Sequence, residues 1–307
     1  MLIIVFEKIG IMFLILILGV VCYRKGLFDE IMTKRLSTFL LQVINPAVIF
    51  VSYQISYSRE LLVNLGYSFV LSILAFLIQI VVAYLVVRKR SANSVIERLS
   101  VIYSNCGFFG IPLANGLFGR EGVFFLTGYL TVFYLFFWTH GVILMIGKSG
   151  IKETAKNLLS PAIIGVVLGV ICFVGKIKLP QVLVSALDSV GSMNTPLAML
   201  VAGATLAQSN LISSFTNLRI YLISAFKLIL VPMAVALVFS FLPLNPVMLL
   251  VIIIAVACPV AASCTMFALR YGKDSIYASQ LFIVTTLLSI VSIPLVVSLS
   301  NLLGIIA

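Results

Sequence analysis

The sequence has few charged side chains, and this scarcity decides the class of protein. Charged residues make up 9% of the 307 positions, whereas hydrophobic residues make up 62% and the mean hydropathy is +1.25. Soluble domains carry about 25% charged residues, so this composition excludes a soluble globular protein. The longest polar stretches, 88–98 and 148–157, are only connectors between apolar segments. Any chemistry must therefore lie among apolar helices.

The sequence also lacks the usual signatures of metal sites, enzymes and nucleic-acid binding. It has one histidine, His140, and its five cysteines show no CxxC spacing. We therefore predict no metal site and no cofactor. It contains no GxSG-type serine and no paired intramembrane aspartates, so we do not expect an enzyme. The net charge of +11 is spread over short loops, so no nucleic-acid partner is predicted. We assign His140 to packing or to the membrane interface, with a proton relay as the alternative.

Long apolar segments dominate what is present. A helix needs about 20 apolar residues to cross a bilayer core roughly 30 Å thick. Most loop lysines and arginines fall on one side of the resulting topology, which the positive-inside rule places in the cytoplasm. We therefore expect a multi-pass protein of the cell (inner) membrane, surrounded by the lipid bilayer, with both termini outside the cytoplasm. The ten predicted spans are 3–23, 35–54, 61–87, 98–118, 122–147, 158–175, 181–207, 218–242, 246–269 and 276–303.

Segments about 150 residues apart resemble each other in order. The run 18–23 matches the run 168–173, Asn45-Pro46 lies opposite Thr195-Pro196, and Pro112 lies opposite Pro259. Because each half has an odd number of spans, the second half must enter the membrane from the opposite face, as in many secondary transporters. The prediction is an all-α integral membrane fold with a first five-helix repeat (1–147), a short cytoplasmic linker (148–157) and a second, inverted repeat (158–307).

Spans 4 and 9 have the composition of broken helices. Span 4 combines several glycines with Pro112, and span 9 contains Cys258-Pro259 among small residues. Proline removes a backbone donor and glycine favours irregular dihedrals, so we predict a break between Asn105 and Pro112 and another near Pro259. A break at membrane depth is tolerated only inside protein or beside a water-filled cavity, so the two breaks should meet. The alternative is that these residues only kink and pack the helices.

Half-helix N-termini at such breaks present partial positive charge, which favours an anionic substrate. The coupling ion, if there is one, would be H⁺ or Na⁺. Asp188 and Lys227 are ionisable residues inside predicted spans: they could pair with each other, handle a proton, or place Lys227 on the anion. Alternatively Asp188 reaches the outer interface and Lys227 snorkels to the cytoplasmic side. The predicted binding residues are Ser104, Asn105, Pro112, Asn45, Asn194, Cys258, Pro259 and Ser263.

The order and spacing of several short motifs resemble the auxin efflux carrier family in its short bacterial form, over essentially the whole chain. The resemblance implies ten helices in two inverted halves, with helices 4 and 9 crossing at their prolines and a substrate carboxylate held nearby. It also implies malate, malonate and similar carboxylates rather than auxin, and only 148–157 stands where eukaryotic members have a long loop. The motifs are Asn105 to Pro112, Asn45-Pro46, Asn194 to Pro196, and Cys258-Pro259 through Tyr271 to Asp274.

The leading hypothesis is a secondary active transporter, or uniporter, that moves a small organic anion by alternating access. The alternative is a sodium/proton antiporter or a channel-like protein, because inverted halves with broken helices also suit small cations. A buried, titrating Asp188 beside the crossing would favour this alternative. Substrate identity, the direction of flux and a homodimeric state are left open by the sequence.

Overall fold

Helices form almost all the regular secondary structure in the computed structural model, which describes residues 2–88, 93–146, 160–208 and 217–305. The predicted linker at 148–157 lies outside these described residues. The eleven helices of the described chain are α1 (Leu2–Arg24), α2 (Glu30–Ser52), α3 (Arg59–Val86), α4 (Ser94–Ile102), α5 (Cys106–Ile146), α6 (Pro161–Val174), α7 (Gln181–Ala207), α8 (Leu218–Phe239), α9 (Pro246–Ala257), α10 (Ala262–Arg270) and α11 (Ser275–Leu302).

Seven of the described helices are long and apolar enough to cross a membrane, namely α1, α2, α3, α5, α7, α8 and α11. The helices α6 and α9 are apolar but shorter. The described residues contain no β-strand beyond one isolated bridge. An all-helical membrane architecture is therefore confirmed, while the count of ten spans in two inverted halves stays a prediction.

Three of the π-turns in the described helices are followed by a proline. Pro46, Pro112 and Pro232 each lie two residues after a five-residue π-turn, at Leu40–Ile44, Cys106–Gly110 and Phe226–Leu230. A proline cannot donate a backbone hydrogen bond, and its ring clashes with the carbonyl one turn earlier. A local π-turn relieves that clash without ending the helix. Each proline thus marks a bulged helix that remains continuous.

The interruption of predicted span 4 lies earlier than the expected Asn105 to Pro112 segment. Helix α4 ends at Ile102 and α5 begins at Cys106, so the gap is Tyr103 to Asn105. Pro112 lies inside α5, where the π-turn accommodates it. Predicted spans 4 and 5 are joined by a kink at Gly119 (φ 58°, ψ −144°) rather than by a loop. A left-handed φ is cheap only for glycine, which explains why the chain bends there.

The tightest helix packing joins the two halves of the sequence. Helix α1 runs along α7, and α6 runs along the second part of α2. A Cβ at Gly19 would collide with the Leu200 backbone, and one at Gly169 would collide with the Tyr53 ring. Such close contact without a side chain is typical of membrane helix interfaces. These four helices form one group, which we call the α1/α2/α6/α7 group.

Helix α9 lies at the centre of the remaining helices. Every residue from Met248 to Ala257 is buried, as expected for a helix that is hydrophobic on all sides. It packs against α5, α11, α8 and α3. By contrast, α1 exposes large apolar side chains such as Leu14 and Leu18, which suit a lipid-facing surface. Helix α9 therefore delivers its C-terminal end to the interior of the protein.

Candidate functional site

The two helix interruptions lie side by side. Tyr103 to Asn105 and Cys258 to Ala261 run antiparallel, with a β-bridge between Ser104 and Val260. The Asn105 amide N donates to the Pro259 carbonyl O at 2.7 Å, and the Ala261 N donates to the Tyr103 O at 3.0 Å. The breaks therefore meet, as the sequence predicted. We call this pair of segments the crossing.

The local sequence explains why the chain is extended here. Proline disfavours helical dihedrals in the residue before it, and Cys258 has φ −56° and ψ 149°. The Ser104 Oγ donates to the Val256 carbonyl O at 3.0 Å, at the end of α9. The Val260 N donates to the Thr285 Oγ1 on α11 at 3.1 Å. Backbone groups that the helix interruptions leave unpaired are thus hydrogen-bonded within the crossing or to a side chain of a neighbouring helix.

Three buried amide side chains gather beside the crossing. The Asn194 Nδ2 donates to the Asn45 Oδ1 at 2.7 Å, which links α7 to α2. A Cβ at Gly107 would lie 3.6 Å from the Asn45 Nδ2, which places this pair against the first turn of α5, next to Asn105. The Nδ2 atoms of Asn45 and Asn105 and the Oδ1 of Asn194 have no hydrogen-bond partner. Two donors and one acceptor are therefore available to a ligand.

A lysine approaches the crossing from the opposite side. Lys227 on α8 is fully buried, and its Nζ donates to the Ser104 Oγ at 2.6 Å and to the Val101 carbonyl O at 3.4 Å. Within the described part of the chain, no carboxylate lies within ion-pairing distance of this ammonium. Buried lysines are rare unless they are paired. Lys227 therefore supplies positive charge that the surrounding protein does not neutralise.

The corresponding position in the first half carries an amide instead of a charge. Gln79 on α3, 148 residues before Lys227, is buried, and its Nε2 lies 3.3 Å from the Tyr129 hydroxyl. The Tyr129 side chain also reaches Ser104. The polar groups of the two halves are therefore joined through Ser104, which sits within the crossing itself.

An apolar cavity of about 370 Å³ extends from the crossing toward the end of the bundle that carries Arg270. Ser104, Asn105 and Ser263 line it together with the rings of Phe108, Phe137 and Trp138, among other residues. Its walls combine a few polar groups with a largely apolar surface, which is typical of small-molecule sites. The cavity gives a route to the crossing from one end of the molecule.

The predicted site residues occupy different places in this arrangement. Ser104, Asn105, Cys258 and Pro259 form the crossing, Asn45 and Asn194 lie beside it, and Ser263 lies in the cavity wall. Pro112 does not belong to the crossing, because it lies seven residues beyond Asn105 within α5. Its role is to shape the π-turn Cys106–Gly110 that follows Asn105.

Asp188 and Lys227 do not pair with each other, which was one of the possibilities that the sequence left open. Asp188 is partly exposed and forms an ion pair with Arg120 at the end of the bundle opposite to Arg270. The alternative in which Lys227 snorkels to the surface is wrong, because its side chain turns inward to Ser104. The hydrogen bonds from its Nζ to the Ser104 Oγ and the Val101 carbonyl O hold the side chain in this orientation. The alternative in which Asp188 reaches an interface agrees with its exposure.

Two contacts near the site were missed by the sequence reasoning. The Tyr103 hydroxyl donates to the Phe136 carbonyl O at 2.8 Å. It also lies 3.0 Å from the Nδ1 of His140, so His140 contacts a residue of the crossing directly. Arg120, the partner of Asp188, lies in the Phe118 to Glu121 segment that repeats at 271–274. The repeat of this segment in the second half could have indicated that the turn has the same role in both halves.

The protein has helices of membrane-spanning length, and two interrupted helices meet in its interior beside buried polar groups that can still hydrogen-bond a ligand. Together these features define a membrane transport protein. Comparison with known sequences agrees: the chain belongs to the family described as membrane transport protein, which matches residues 4–297. The chain is also similar to an uncharacterized transporter of Methanothermobacter thermautotrophicus, at 24% identity over 296 residues, 94% of this chain and 96% of that protein.

These matches confirm the resemblance to the auxin efflux carriers, which are transporters of the same family. The chain is thus a multi-pass membrane transporter, and its family is not one of enzymes.

Proposed function

We propose that this protein is a secondary active transporter, or uniporter, that moves a small organic anion by alternating access and binds its carboxylate at the crossing. The observation that carries this proposal is the buried ammonium of Lys227, held 2.6 Å from the Ser104 Oγ without a carboxylate partner among the described residues. A charged group in such a place is stabilised when a ligand brings the opposite charge.

The amide groups on the other side of the crossing support the same ligand. The Nδ2 atoms of Asn45 and Asn105 are buried donors without partners, and a carboxylate accepts hydrogen bonds only. Helices α5 and α10 also begin at the crossing, and their first N–H groups add partial positive charge. Positive charge and donors thus lie on both sides of the crossing, which is the arrangement an organic anion requires.

Helix lengths support ten spans in two inverted halves. At 1.5 Å per residue, the 41 residues of Cys106–Ile146 would extend about 60 Å, twice the bilayer core. The kink at Gly119 therefore separates two spans. Joining α4 to the first part of α5 across the crossing, and α9 to α10, gives one interrupted span in each half. The matched packing of Gly19 on α7 and Gly169 on α2 follows the same symmetry.

The loop charges support the proposed orientation in the cell membrane. The end of the bundle that carries Arg24, Arg88 and Arg270 would be cytoplasmic, and both termini would lie outside. In this orientation the 370 Å³ cavity is the inner route to the crossing. The α1/α2/α6/α7 group would then move against the remaining helices to change access.

The position of Asp188 favours anion transport over sodium/proton antiport. Cation antiport would need a titrating carboxylate near the crossing. Asp188 is instead partly exposed and paired with Arg120. No carboxylate of the described chain is in hydrogen-bonding distance of Asn45, Asn105 or Lys227.

The test is uptake of labelled mono- and dicarboxylates into proteoliposomes, under separate proton and sodium gradients. We expect saturable uptake by the wild type, and Lys227→Met should reduce it at least tenfold because it removes the charge but keeps the side-chain length. Asn105→Ala should act in the same direction. The control is Asn301→Ala at the end of α11, away from the crossing, which should leave uptake unchanged.

The variant Asp188→Asn distinguishes anion transport from cation antiport in the same assay. It should leave carboxylate uptake nearly unchanged if the anion site is at the crossing. Absence of carboxylate flux, together with a sodium- or proton-driven exchange that Asp188→Asn abolishes, would replace the proposal by cation antiport.

A further inference from the structure

A second cavity, of about 430 Å³, lies at the end of the bundle that the loop charges place outside the cell. It is formed where the chain leaves α2, where it leaves α6 and where α7 begins. We call it the outer cavity and define it by Gln54, Tyr57, Arg120, Lys176, Lys178 and Gln181. It is separate from the crossing and from the apolar cavity described above.

The charge of the outer cavity has one sign. Arg120, Lys176 and Lys178 contribute three cations from two parts of the chain, and no carboxylate is among its described lining residues. Arg120 is paired with Asp188, but within the described chain neither lysine forms an ion pair. A concave surface with charge of one sign raises the local concentration of ions of the opposite sign.

The amide of Gln54 adds an oriented donor. Its Oε1 accepts a hydrogen bond from the Leu179 N at 3.2 Å, which fixes the orientation of the amide group. Its Nε2 is buried and has no hydrogen-bond partner. A buried donor in a cationic cavity is the complement of an anion's oxygen atoms.

The backbone at Lys176 is the most specific observation. Lys176 has φ 54°, in the left-handed region that favours glycine, and it occupies the turn that ends α6. The Lys176 N bonds to the Phe173 O, and the Ile177 N bonds to the Cys172 O at 2.8 Å. The end of α1 makes the same turn 150 residues earlier, where the corresponding residue is Gly26 (φ 74°).

The two halves thus use one helix-ending motif, with glycine in the first and lysine in the second. Lysine is disfavoured in this conformation, so its presence requires a compensating role. The Lys176 Nζ lies 4.9 Å from the centre of the Tyr57 ring, which holds the ammonium over the outer cavity by a cation–π contact. Folding alone would be served better by glycine.

The outer cavity leads toward the crossing. Arg120 also lines a neighbouring cavity of about 210 Å³, which contains Asp188 and is bounded by Val48 and Gly191. Val48 follows Asn45 by three residues, and Gly191 precedes Asn194 by three residues. The two helices touch there, since a Cβ at Gly191 would lie 3.1 Å from a Val48 methyl group. A closed contact thus separates the outer cavities from the buried asparagines.

From this geometry we propose that the outer cavity is a separate binding site for small anions bearing carboxylate or phosphate oxygens, which captures them from the outer solution through Lys176, Lys178 and Gln54. It would raise the concentration of substrate at the outer mouth. As a step in transport the proposal rests on the proposed function, whereas anion binding at this cavity can be measured without transport.

The direct test is protection of Lys176 from acetylation by sulfo-NHS-acetate in nanodiscs, read by peptide mass spectrometry. Sodium malonate and sodium phosphate are compared with sodium chloride at equal ionic strength, and exposed Lys34 at the opposite end is the internal control. We expect malonate or phosphate to slow modification of Lys176 at least threefold and to leave Lys34 unchanged. Equal rates in all three salts would overturn the proposal.

A lipid headgroup has the same chemistry, and a second arm distinguishes it. Nanodiscs of phosphatidylcholine alone are compared with nanodiscs that also contain phosphatidylglycerol. Protection by soluble malonate or phosphate in pure phosphatidylcholine supports the solute site. Protection that appears only with phosphatidylglycerol would assign the cavity to lipid and overturn the site for solutes.

Lys176→Gly connects the site to transport without threatening the fold. It restores the residue found in the first half, so the unfolding temperature should equal or exceed that of the wild type. For substrate added outside, the half-saturating concentration should rise about three- to tenfold at unchanged maximal rate, the effect of removing one partly exposed charge. An unchanged half-saturating concentration would overturn the capture role.

The two proposals fail separately. If no carboxylate is transported but malonate protects Lys176, the transport proposal falls and the outer site stands. If carboxylates are transported and Lys176 is never protected, the crossing stands and the outer site falls.

Discussion

The two ends of the bundle each carry an ion pair between the halves of the sequence, and the two pairs have opposite physical character. Glu97 and Arg219 form two hydrogen bonds, at 2.9 and 2.7 Å, and the Glu97 side chain is 1% exposed. Arg120 and Asp188 are each 42% exposed. The buried carboxylate also accepts a hydrogen bond from the Tyr277 hydroxyl at 3.1 Å. The inner pair therefore has one buried partner, because the Arg219 side chain is 36% exposed, whereas both members of the outer pair reach solvent.

Exposure sets what each pair contributes. A pair in water gains little because solvent and salt screen it, typically up to about 1 kcal/mol. A buried pair that loses one member leaves the other charged and desolvated, which costs about 3–5 kcal/mol. The two ends also differ in access to the crossing. The 370 Å³ cavity reaches the crossing from the inner end, whereas the contact between Gly191 and Val48 separates it from the outer cavities.

Glu97 on α4 and Arg219 on α8 both belong to the remaining helices, whereas Arg120 on α5 and Asp188 on α7 join those helices to the α1/α2/α6/α7 group. The outer pair is therefore the one that a change of access would break.

The largest effect should come from Arg219→Ala. It removes two hydrogen bonds from the buried Glu97 carboxylate, and we expect the free energy of unfolding to fall by about 2–3 kcal/mol. The measurement is unfolding of the purified protein in mild detergent by added sodium dodecyl sulfate. Arg24→Ala, at an exposed arginine near the same end, is the matched control and should change stability by less than about 0.5 kcal/mol. Equal effects of the two variants would remove the distinction between the ends.

A smaller effect is expected when the whole buried cluster is made apolar. The triple variant Glu97→Leu, Arg219→Leu and Tyr277→Phe removes both charges of the ion pair together, so its stability should lie within about 1 kcal/mol of the wild type. The same detergent assay measures it. A triple variant as unstable as Arg219→Ala would show that the cluster stabilises by its specific hydrogen bonds rather than by avoiding an orphaned charge.

The smallest effect should come from Asp188→Asn at the outer end. Because both partners are exposed, we expect a loss below about 1 kcal/mol, which shrinks further when the salt concentration is raised to about 0.5 M. The comparison is made in the same detergent at low and high salt. A large, salt-independent loss would mean that the outer pair is protected from solvent in the membrane and that the two ends are alike.

Local chemistry allowed the sequence to predict a good part of the architecture. Apolar lengths identified the membrane helices, and Pro259 identified the second interruption because a proline restricts its own backbone and that of its neighbour. Asn45, Asn105 and Asn194 were predicted from the same motifs, and they lie together beside the crossing. These features depend on residues that are close along the chain.

Long-range contacts were beyond the sequence. Nothing local connects Lys227 with Ser104, 123 residues away, or Asp188 with Arg120, 68 residues away. The misplaced break at Pro112 has a related cause, because a proline can either interrupt a helix or widen it into a π-turn. The pairing of Tyr103 to Asn105 with Cys258 to Ala261 decides where α5 begins, and that pairing exists only in three dimensions.

The two segments of the crossing are joined to each other by backbone hydrogen bonds, and this limits how the protein can move. Pulling the two extended segments apart would strand the Asn105 and Ala261 N–H groups away from water, at several kcal/mol for each group. The segments must therefore travel as one rigid strut, and the surrounding helices must slide past it. Backbone hydrogen bonds do not depend on side-chain identity. The residues around the crossing can therefore change in evolution, and with them the transported substrate, while the two segments stay paired.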